Sequence, residues 1–119
     1  MENYKLVLPE HLNQFGHLFG GNMLKWVDEF AWIAASVDYP DCNLVTIGFD
    51  AVEFKKGVQE GTILRFVATR TKAGRTSVQY EVGVFRGGSE KKGADSVFTT
   101  HVTLVNIDDY GNKVALPKG

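Results

Sequence analysis

One long helical segment in a chain of otherwise strand-like sequence most constrains the fold. Between Gly21 and Tyr39, apolar residues recur at the spacing of an α-helix, and Pro40 ends the segment. The apolar arc is wide, so we expect the helix to be wrapped by a sheet rather than to lie on a surface. The residues on this arc are Met23, Val27, Phe30 and Ala34, with Leu24, Ala31 and Ala35 beside them.

Five segments rich in β-branched and aromatic residues predict strands. They cover residues 4–8, 44–54, 62–72, 76–86 and 94–107. The breaks at 55–57, 73–75 and 87–93 carry glycine or charge suited to antiparallel reversals, so the last three strands should form a meander. One helix and a long antiparallel meander make an α+β layout. A single sheet around one helix leaves sheet edges uncovered, so self-association is expected.

The end of the chain predicts a further turn over residues 108–112 and a surface tail over 113–119. The 119 residues have an ordinary apolar content of 44%, which predicts one globular domain over 1–119. The formal net charge of -1 argues against nonspecific nucleic-acid binding. Cys42 is the only cysteine, which favours a reducing cytoplasm, and no long apolar stretch predicts a signal peptide or membrane span.

Asp28 is the strongest candidate for chemistry. It lies on the shoulder of the apolar helix, where a buried carboxylate needs either a hydrogen-bonding partner or a catalytic role. A structural aspartate bonded to a neighbouring loop would explain the same pattern. The next residue, Glu29, falls on the polar face beside Lys25 and is expected to be solvated.

The glycine pair Gly20 and Gly21 stands at the start of the helix. Small residues there allow a ligand to approach the free backbone N–H groups of the first turn, which could hold an oxyanion. Glycines that only permit a tight turn into a buried helix are the alternative. Together with Asp28, about two turns further on, an oxyanion site could flank a bound carbonyl, so that the acid activates water or attacks directly.

The loop before the helix contains Asn13, Gly16 and His17. An asparagine amide can donate to a carbonyl or position a water, and a histidine can transfer protons near neutral pH. Capping of the loop explains Asn13 equally well, and a solvated role explains His17.

Donors suited to phosphate occur in the turn Arg75, Thr76 and Ser77, which follows Gly74, although a hairpin also favours such residues. Other turns carry lysines, where solubility is as good an explanation as anion binding. These lysines are Lys55, Lys56, Lys91 and Lys92.

Taken in their order along the chain, these residues and motifs resemble those of the hotdog-fold acyl-CoA thioesterases. The resemblance is to the branch of the bacterial YciA-type and brain acyl-CoA hydrolase-type enzymes. The resemblance covers nearly the whole chain and rests on the order and spacing of its parts. The residues that carry it are Asn13, Gly16, Phe19, Gly20, Gly21, Leu24, Asp28, Glu29, Val45, Thr46, Val52, Glu53, Phe54, Gly74, Arg75, Thr76, Ser77, Asp108 and Gly111.

The resemblance implies a hotdog fold, with one central helix wrapped by a curved antiparallel sheet of about five strands. It implies hydrolysis of acyl-CoA thioesters in a site shared by two subunits, within a homodimer, tetramer or hexamer. Asp28 would be the general base or nucleophile, Asn13 would orient water or substrate, and the Gly21 N–H would stabilise the oxyanion. No metal or redox cofactor would be required.

The implied coenzyme A contacts are Phe19, Gly20, Lys56, Arg75, Thr76 and Ser77. Two positions depart from the family: Gly57 and Thr62 stand where many relatives have proline and aspartate, so the edge of the nucleotide site is expected to differ.

Two other functions use the same pocket. A hotdog dehydratase or hydratase would use His17 and Glu29 as its acid–base pair, but that group usually has prolines between its loop histidine and the helix. No proline occurs here between Pro9 and Pro40. A noncatalytic acyl-CoA-binding module would keep the cavity and phosphate contacts while having no need of Asp28.

Overall fold

The predicted helix and all five predicted strands are present in a computed structural model, which describes residues 1–87 and 95–117. The elements are β1 (Glu2–Leu6), a short 3-10 helix (Pro9–His11), α1 (Gly20–Asp38), β2 (Leu44–Phe54), β3 (Ile63–Ala73), β4 (Ser77–Arg86) and β5 (Ser96–Asn106). The predicted first residue of the last strand, Ala94, and most of the predicted turn 87–93 lie outside the described residues.

The strands form one antiparallel sheet in the order β1-β3-β4-β5-β2. The meander of the last three strands is therefore confirmed, while β2 crosses to the far edge and pairs with β5. The position predicted for the first strand, 4–8, was wrong by two residues. Pairing with β3 sets the observed position, because Glu2 lies opposite Val67 and the Met1 amino group donates to the Ala68 carbonyl.

The core lies between α1 and the inner face of the sheet. Strand alternation turns Leu64, Phe66 and Ala68 of β3 inward, and all three are buried. The ring of Phe66 packs against two aromatic residues of the helix, with its centroid 4.6 Å from that of Phe30 and 6.4 Å from that of Trp26. The helix is thus covered by the sheet on one side, as its wide apolar arc predicts.

The edge strand β2 is irregular and exposes much of its apolar surface. Its pairing with β5 shifts twice, and Ala51 at the second shift has a φ of 51°, a left-handed conformation typical of a β-bulge. The apolar residues of β2 that remain exposed are Val45, Ile47, Phe49, Val52 and Phe54. Trp32 and Val37 are exposed on α1 as well. Within residues 1–87 and 95–117, no helix is long and apolar enough to cross a membrane.

The predicted turn after β5 is confirmed. The Asp108 carboxylate accepts hydrogen bonds from the backbone N–H groups of Tyr110 and Asn112, and Gly111 adopts a φ of 83°. The predicted tail then runs back along the surface, where the Leu116 N–H donates to the Arg75 carbonyl at 2.7 Å. Residues 118 and 119 of that tail lie outside the described residues.

Candidate active site

Asp28 lies half-buried on the flank of α1 that faces the edge strand β2. Its Oδ1 accepts a hydrogen bond of 2.6 Å from the Oγ1 of Thr46. In the described part of the chain, no hydrogen bond is made to its Oδ2. One oxygen of the carboxylate is therefore held in place, and the other is available to a water or a substrate.

Thr46 is the residue that the sequence analysis missed as part of the site. Thr46 is one of the residues that carry the family resemblance, but no function was predicted for it. Its hydroxyl reaches Asp28 because β2 returns along the helix, and a contact between residues 18 positions apart leaves no local pattern in the sequence. The partner of Asp28 is thus a strand hydroxyl rather than a neighbouring loop.

The start of α1 has free backbone donors, as expected for an oxyanion site. Phe19 caps the helix in an extended conformation, and its carbonyl accepts from the N–H groups of Asn22 and Met23. The N–H groups of Gly20 and Gly21 make no hydrogen bond within the described residues. They are accordingly free to bind an anion at the positive end of the helix dipole.

The two glycines differ in what surrounds them. A Cβ added at Gly21 would lie 2.7 Å from Cε2 of Phe19, whereas one added at Gly20 would meet nothing within 4 Å. The Phe19 ring therefore covers Gly21, and that ring is itself 55% exposed. The close approach of backbone and ring explains the glycine at 21 but not the one at 20.

Asn13 caps its loop and keeps a donor free. Its Oδ1 accepts from the N–H groups of Phe15 at 2.9 Å and His17 at 3.1 Å, which fixes the side-chain amide. Its Nδ2 makes no hydrogen bond among residues 1–87 and 95–117. The loop is attached to the helix start because the His11 carbonyl accepts from the Phe19 N–H at 2.9 Å.

The pair required by the hydratase alternative is not assembled around a pocket. His17 and Glu29 are both exposed. The imidazole of His17 packs over Gly57, where an added Cβ would lie 3.2 Å from its Cδ2. The glycine found in place of the family's proline thus accommodates this ring.

Within one chain, Asp28 and the free N–H of Gly21 cannot act on the same carbonyl. At a rise of 1.5 Å per residue, they are about 10 Å apart along the axis of α1. The first N–H groups of a helix also point away from the rest of the helix, which adds to the separation. An oxyanion site and a carboxylate that flank one carbonyl therefore require two copies of the chain.

The residues predicted to contact coenzyme A fall at opposite ends of the sheet. Arg75, Thr76 and Ser77 form the turn between β3 and β4, where the Gly74 N–H donates to the Ser77 carbonyl at 2.8 Å. Lys56 follows the other end of β2, and its Nζ lies 3.8 Å from Oδ1 of Asp95. The sheet between the ends is roughly 30 Å long at 3.3 Å per residue. Lys56 and Arg75 of one chain therefore cannot hold the same phosphate group.

Phe19 and Gly20 lie at the same end as Lys56, because the Leu18 N–H donates to the Val58 carbonyl at 2.6 Å. Arg75 lines an open cavity of about 540 Å³ at the other end, together with Tyr39, Arg70, Lys72, Leu116 and Pro117. Thr76 and Ser77 are half-buried beside this cavity and do not line it. Lys91 and Lys92 lie outside the described residues.

Comparison with known sequences identifies the protein family to which this chain is similar. Residues 15–92 match the family model described as the thioesterase superfamily. An uncharacterized acyl-CoA thioester hydrolase of Zymomonas mobilis is 29% identical over 112 residues, covering 94% of this chain and 74% of the relative. Protein VdlD of Helicobacter pylori is 26% identical over 113 residues, and this chain spans 64% of its length.

Solved structures share the fold. An acyl-CoA hydrolase of Staphylococcus aureus, solved with butyryl coenzyme A and coenzyme A, superposes with a TM-score of 0.87 at 28% identity, covering 98% of this chain and 71% of that one. It has also been solved with an asparagine, an aspartate or a threonine replaced by alanine. A hexameric hotdog-fold thioesterase of Campylobacter jejuni has a TM-score of 0.83 at 30% identity, covering 97% and 88% of the two chains.

The family match extends over more than half of the chain, and the superposed structures cover nearly all of it. The sheet order and the single helix described above are the architecture that these structures share with it. This chain belongs to the thioesterase superfamily and has the hotdog fold.

Proposed function

We propose that this chain hydrolyses acyl-CoA thioesters to a free carboxylic acid and coenzyme A, in a site shared by two subunits. The observation that carries the proposal is the half-buried Asp28 carboxylate, held by the Thr46 hydroxyl at 2.6 Å beside an exposed apolar sheet edge. The named activities of the relatives support the same substrate class.

Asp28 supplies the negative group that thioester hydrolysis needs. As a general base, it takes a proton from a water that attacks the carbonyl carbon; as a nucleophile, it attacks that carbon itself and water then releases the acid. In both routes the C–S bond breaks, and the coenzyme A thiolate leaves and takes up a proton. Since Oδ1 accepts from Thr46, we expect Oδ2 to perform this step.

In this proposal, a second copy of the chain supplies the hydrogen-bond donors to the oxyanion. A negative oxygen develops when the carbonyl is attacked, and the free Gly21 N–H at a helix N-terminus is suited to stabilise it. The free Nδ2 of Asn13 is a further donor, with its orientation set by the two hydrogen bonds to its Oδ1. Because Gly21 and Asp28 of one chain cannot reach one carbonyl, we assign Gly21 and Asn13 to one subunit and Asp28 to the other.

The S. aureus enzyme lends support to the choice of residues. The asparagine and the aspartate that are replaced by alanine in its solved variants are separated along the chain by the same number of residues as Asn13 and Asp28 here. A threonine is the third residue replaced; it follows the aspartate by 17 residues, one fewer than the 18 that separate Asp28 from Thr46 here.

We also propose that the reaction needs no metal or redox cofactor, because a carboxylate, an amide donor and water suffice to hydrolyse a thioester. A cytoplasmic location is proposed on the single cysteine, which is typical of a reducing compartment.

The decisive experiment replaces Asp28 with asparagine. Asp28→Asn keeps the shape of the side chain and an oxygen that accepts from Thr46, but it removes the base or nucleophile. We expect the turnover of acyl-CoA thioesters to fall at least about 100-fold. The assay measures the free thiol of the coenzyme A that is released. The melting temperature and the oligomeric state should change little.

The matched control is Glu29→Gln, which removes the same charge from the next residue, an exposed one. It should hydrolyse acyl-CoA at close to the wild-type rate. Near-normal turnover by Asp28→Asn, or an equal loss in both variants, would contradict the proposal. Acyl chains of graded length in the same assay would identify the preferred substrate.

A further inference from the structure

His11 lies where β1, the loop of Asn13 and α1 meet, and the proposed reaction does not use it. It is the last residue of the 3-10 helix and is half-buried. Its Nδ1 accepts a hydrogen bond of 2.9 Å from the Leu8 N–H, which is the reach-back contact of a capping box. An Nδ1 that accepts from an N–H carries no proton, so the imidazole is neutral and its one proton is on Nε2.

Leu8 presents this N–H from a fixed position. The residue before it, Val7, is fully buried. The Val7 N–H donates to the Thr62 carbonyl at 2.9 Å, and the Val7 carbonyl accepts from the Gly61 N–H at 2.8 Å. The segment just before β3 therefore fixes Leu8, and the hydrogen bond to the imidazole fixes His11 in turn.

The carbonyl of His11 is bonded to the start of α1. It accepts from the Phe19 N–H at 2.9 Å and from Nδ2 of Asn22 at 3.1 Å. These two donors stand on either side of Gly21, which we propose as an oxyanion donor. Asn13, the other proposed donor, follows His11 by two residues. His11 therefore places both donors, one through its carbonyl and the other through the chain.

The imidazole also packs on α1, at right angles to the ring of the buried Trp26, with the two centroids 4.8 Å apart. Lys5 of β1 lies over the same indole, with its Nζ 5.2 Å from the centroid, and Glu10 precedes His11 on the 3-10 helix. The α1 side chains that contact His11 are uncharged. A second proton on the imidazole would therefore gain no carboxylate from α1, and it would remove the acceptor of the Leu8 N–H.

We infer that His11 is a positioning residue for the oxyanion half of the site, and that it holds Asn13 and Gly21 in place only while its imidazole is neutral. The inference rests on the proposed function, which supplies the reaction and the roles of these two donors. A proton on Nδ1 leaves two N–H groups facing each other. The turn then loses its attachment to Leu8, and both donors shift relative to the Asp28 of the other subunit.

Two substitutions separate the acceptor from the ring. His11→Asn keeps an acceptor, Oδ1, which is bonded to Cγ as Nδ1 is, whereas His11→Phe keeps a ring against Trp26 but has no acceptor. We expect kcat for butyryl-CoA to fall at least about 10-fold in His11→Phe with KM nearly unchanged, because donors to the oxyanion act on the transition state. His11→Asn should keep most of the wild-type kcat. A rise in KM at constant kcat in His11→Phe, or equal losses in both variants, would overturn the inference.

His17→Phe makes the same replacement in the same loop and is the matched control. The His17 imidazole packs over Gly57 and makes no hydrogen bond in the described part of the chain. Its replacement should leave kcat near that of the wild type. A loss as large as that in His11→Phe would mean that any phenyl ring disturbs this loop, and it would overturn the specific role of His11.

The pH dependence of kcat tests the requirement for a neutral ring. Imidazoles take up a proton between about pH 8 and pH 5, whereas the amide of asparagine does not titrate. On acidification the wild type should therefore lose kcat at a higher pH than His11→Asn does, and His17→Phe should follow the wild type. Profiles of wild type and His11→Asn that coincide down to about pH 5 would overturn the inference. This comparison also decides if His11→Phe fails to fold.

Failure of the inference differs from failure of the proposed function. If the wild type hydrolyses butyryl-CoA and His11→Phe does so with the same kcat, the inference alone is contradicted. If the wild type releases no thiol from butyryl-CoA, the proposed function is contradicted, and the inference with it.

Discussion

At the scale of single residues, the candidate site depends on one hydrogen bond that joins a helix to a strand. The acid was predictable because a carboxylate on an apolar helix is costly to bury. Its partner Thr46 was not, because polar residues on strands are common and the contact depends on how β2 passes the helix. The bond leaves Asp28 half-buried and oriented, which is the condition for a positioned base or nucleophile.

Replacing Thr46 tests that orientation. Thr46→Val keeps the β-branched shape and removes the hydroxyl, so we expect kcat to fall about 10-fold or more, since a hydrogen bond to a charged group contributes about 1.5–3 kcal/mol. Thr46→Ser restores the donor and should recover most of the rate. Steady-state kinetics at matched protein stability measures both. Equal rates for the valine and serine variants would mean that the hydroxyl does not orient Asp28.

The two glycines at the start of α1 give a second prediction at this scale. Gly21→Ala places a Cβ at 2.7 Å from the exposed Phe19 ring, so the ring or the backbone that carries the free N–H groups must shift. Gly20→Ala meets no atom within 4 Å and should raise stability slightly, because alanine favours a helix more than glycine does. We expect kcat to fall at least about 10-fold for Gly21→Ala, as for loss of an oxyanion donor, and to stay near wild type for Gly20→Ala. Kinetics and thermal melting of the pair provide the check; similar kinetics in both variants would remove Gly21 from the oxyanion site.

At the scale of elements, local sequence patterns predicted where the helix and strands lie but not which of them are in contact. The helix and the four later strands begin and end within two residues of their predicted ends, because each segment carries its own hydrophobic periodicity and its own turn residues. The shift of β1 could not be predicted, since its register depends on a strand about 60 residues away. The split of the coenzyme A residues between the two ends of the sheet is another consequence of strand pairing, invisible in the order of the chain.

The end of α1 is tied to β4 by Tyr80, which is buried and donates to Asp38. Burial, followed by this hydrogen bond, raises the pKa of Tyr80 above its usual range, so the neutral phenol is favoured in the folded state. The stability that results is fully present below about pH 10 and is lost as the pH rises further, by about 1.4 kcal/mol per pH unit.

We therefore expect the free energy of unfolding of the wild type to fall more steeply between pH 9 and 11 than that of Tyr80→Phe. Urea titrations at fixed protein concentration provide the measurement. The control is Tyr4→Phe, at an exposed tyrosine, which should keep the wild-type slope. If the free energies of unfolding of wild type and Tyr80→Phe changed in parallel with pH, the contact between Tyr80 and Asp38 would not depend on the proton of the phenol.

At the scale of the whole molecule, one chain is an incomplete unit. Its sheet covers α1 on one side, while the outer helix face and the β2 edge leave apolar side chains exposed. Asp28 lies beside this same edge, and the Gly21 N–H that we propose as the oxyanion donor is about 10 Å from it along α1 of the same chain. We therefore expect assembly and activity to depend on each other; the hotdog-fold thioesterase of C. jejuni is a hexamer.

Val52→Lys tests this dependence from a position on β2 well away from Thr46. An edge lysine discourages pairing with another strand, so we expect light scattering to show a smaller species at low concentration, with specific activity reduced at least about 10-fold and recovering as the concentration rises. Tyr4→Lys places the same charge at the opposite edge, on β1, where the side chain is as exposed but no candidate site residue lies. It should keep both the wild-type oligomeric state and the activity. A Val52→Lys monomer with full activity at every concentration would assign all the chemistry to one chain. Because Gly21 lies about 10 Å from Asp28 along the helix, a different donor of that chain would then have to stabilise the oxyanion.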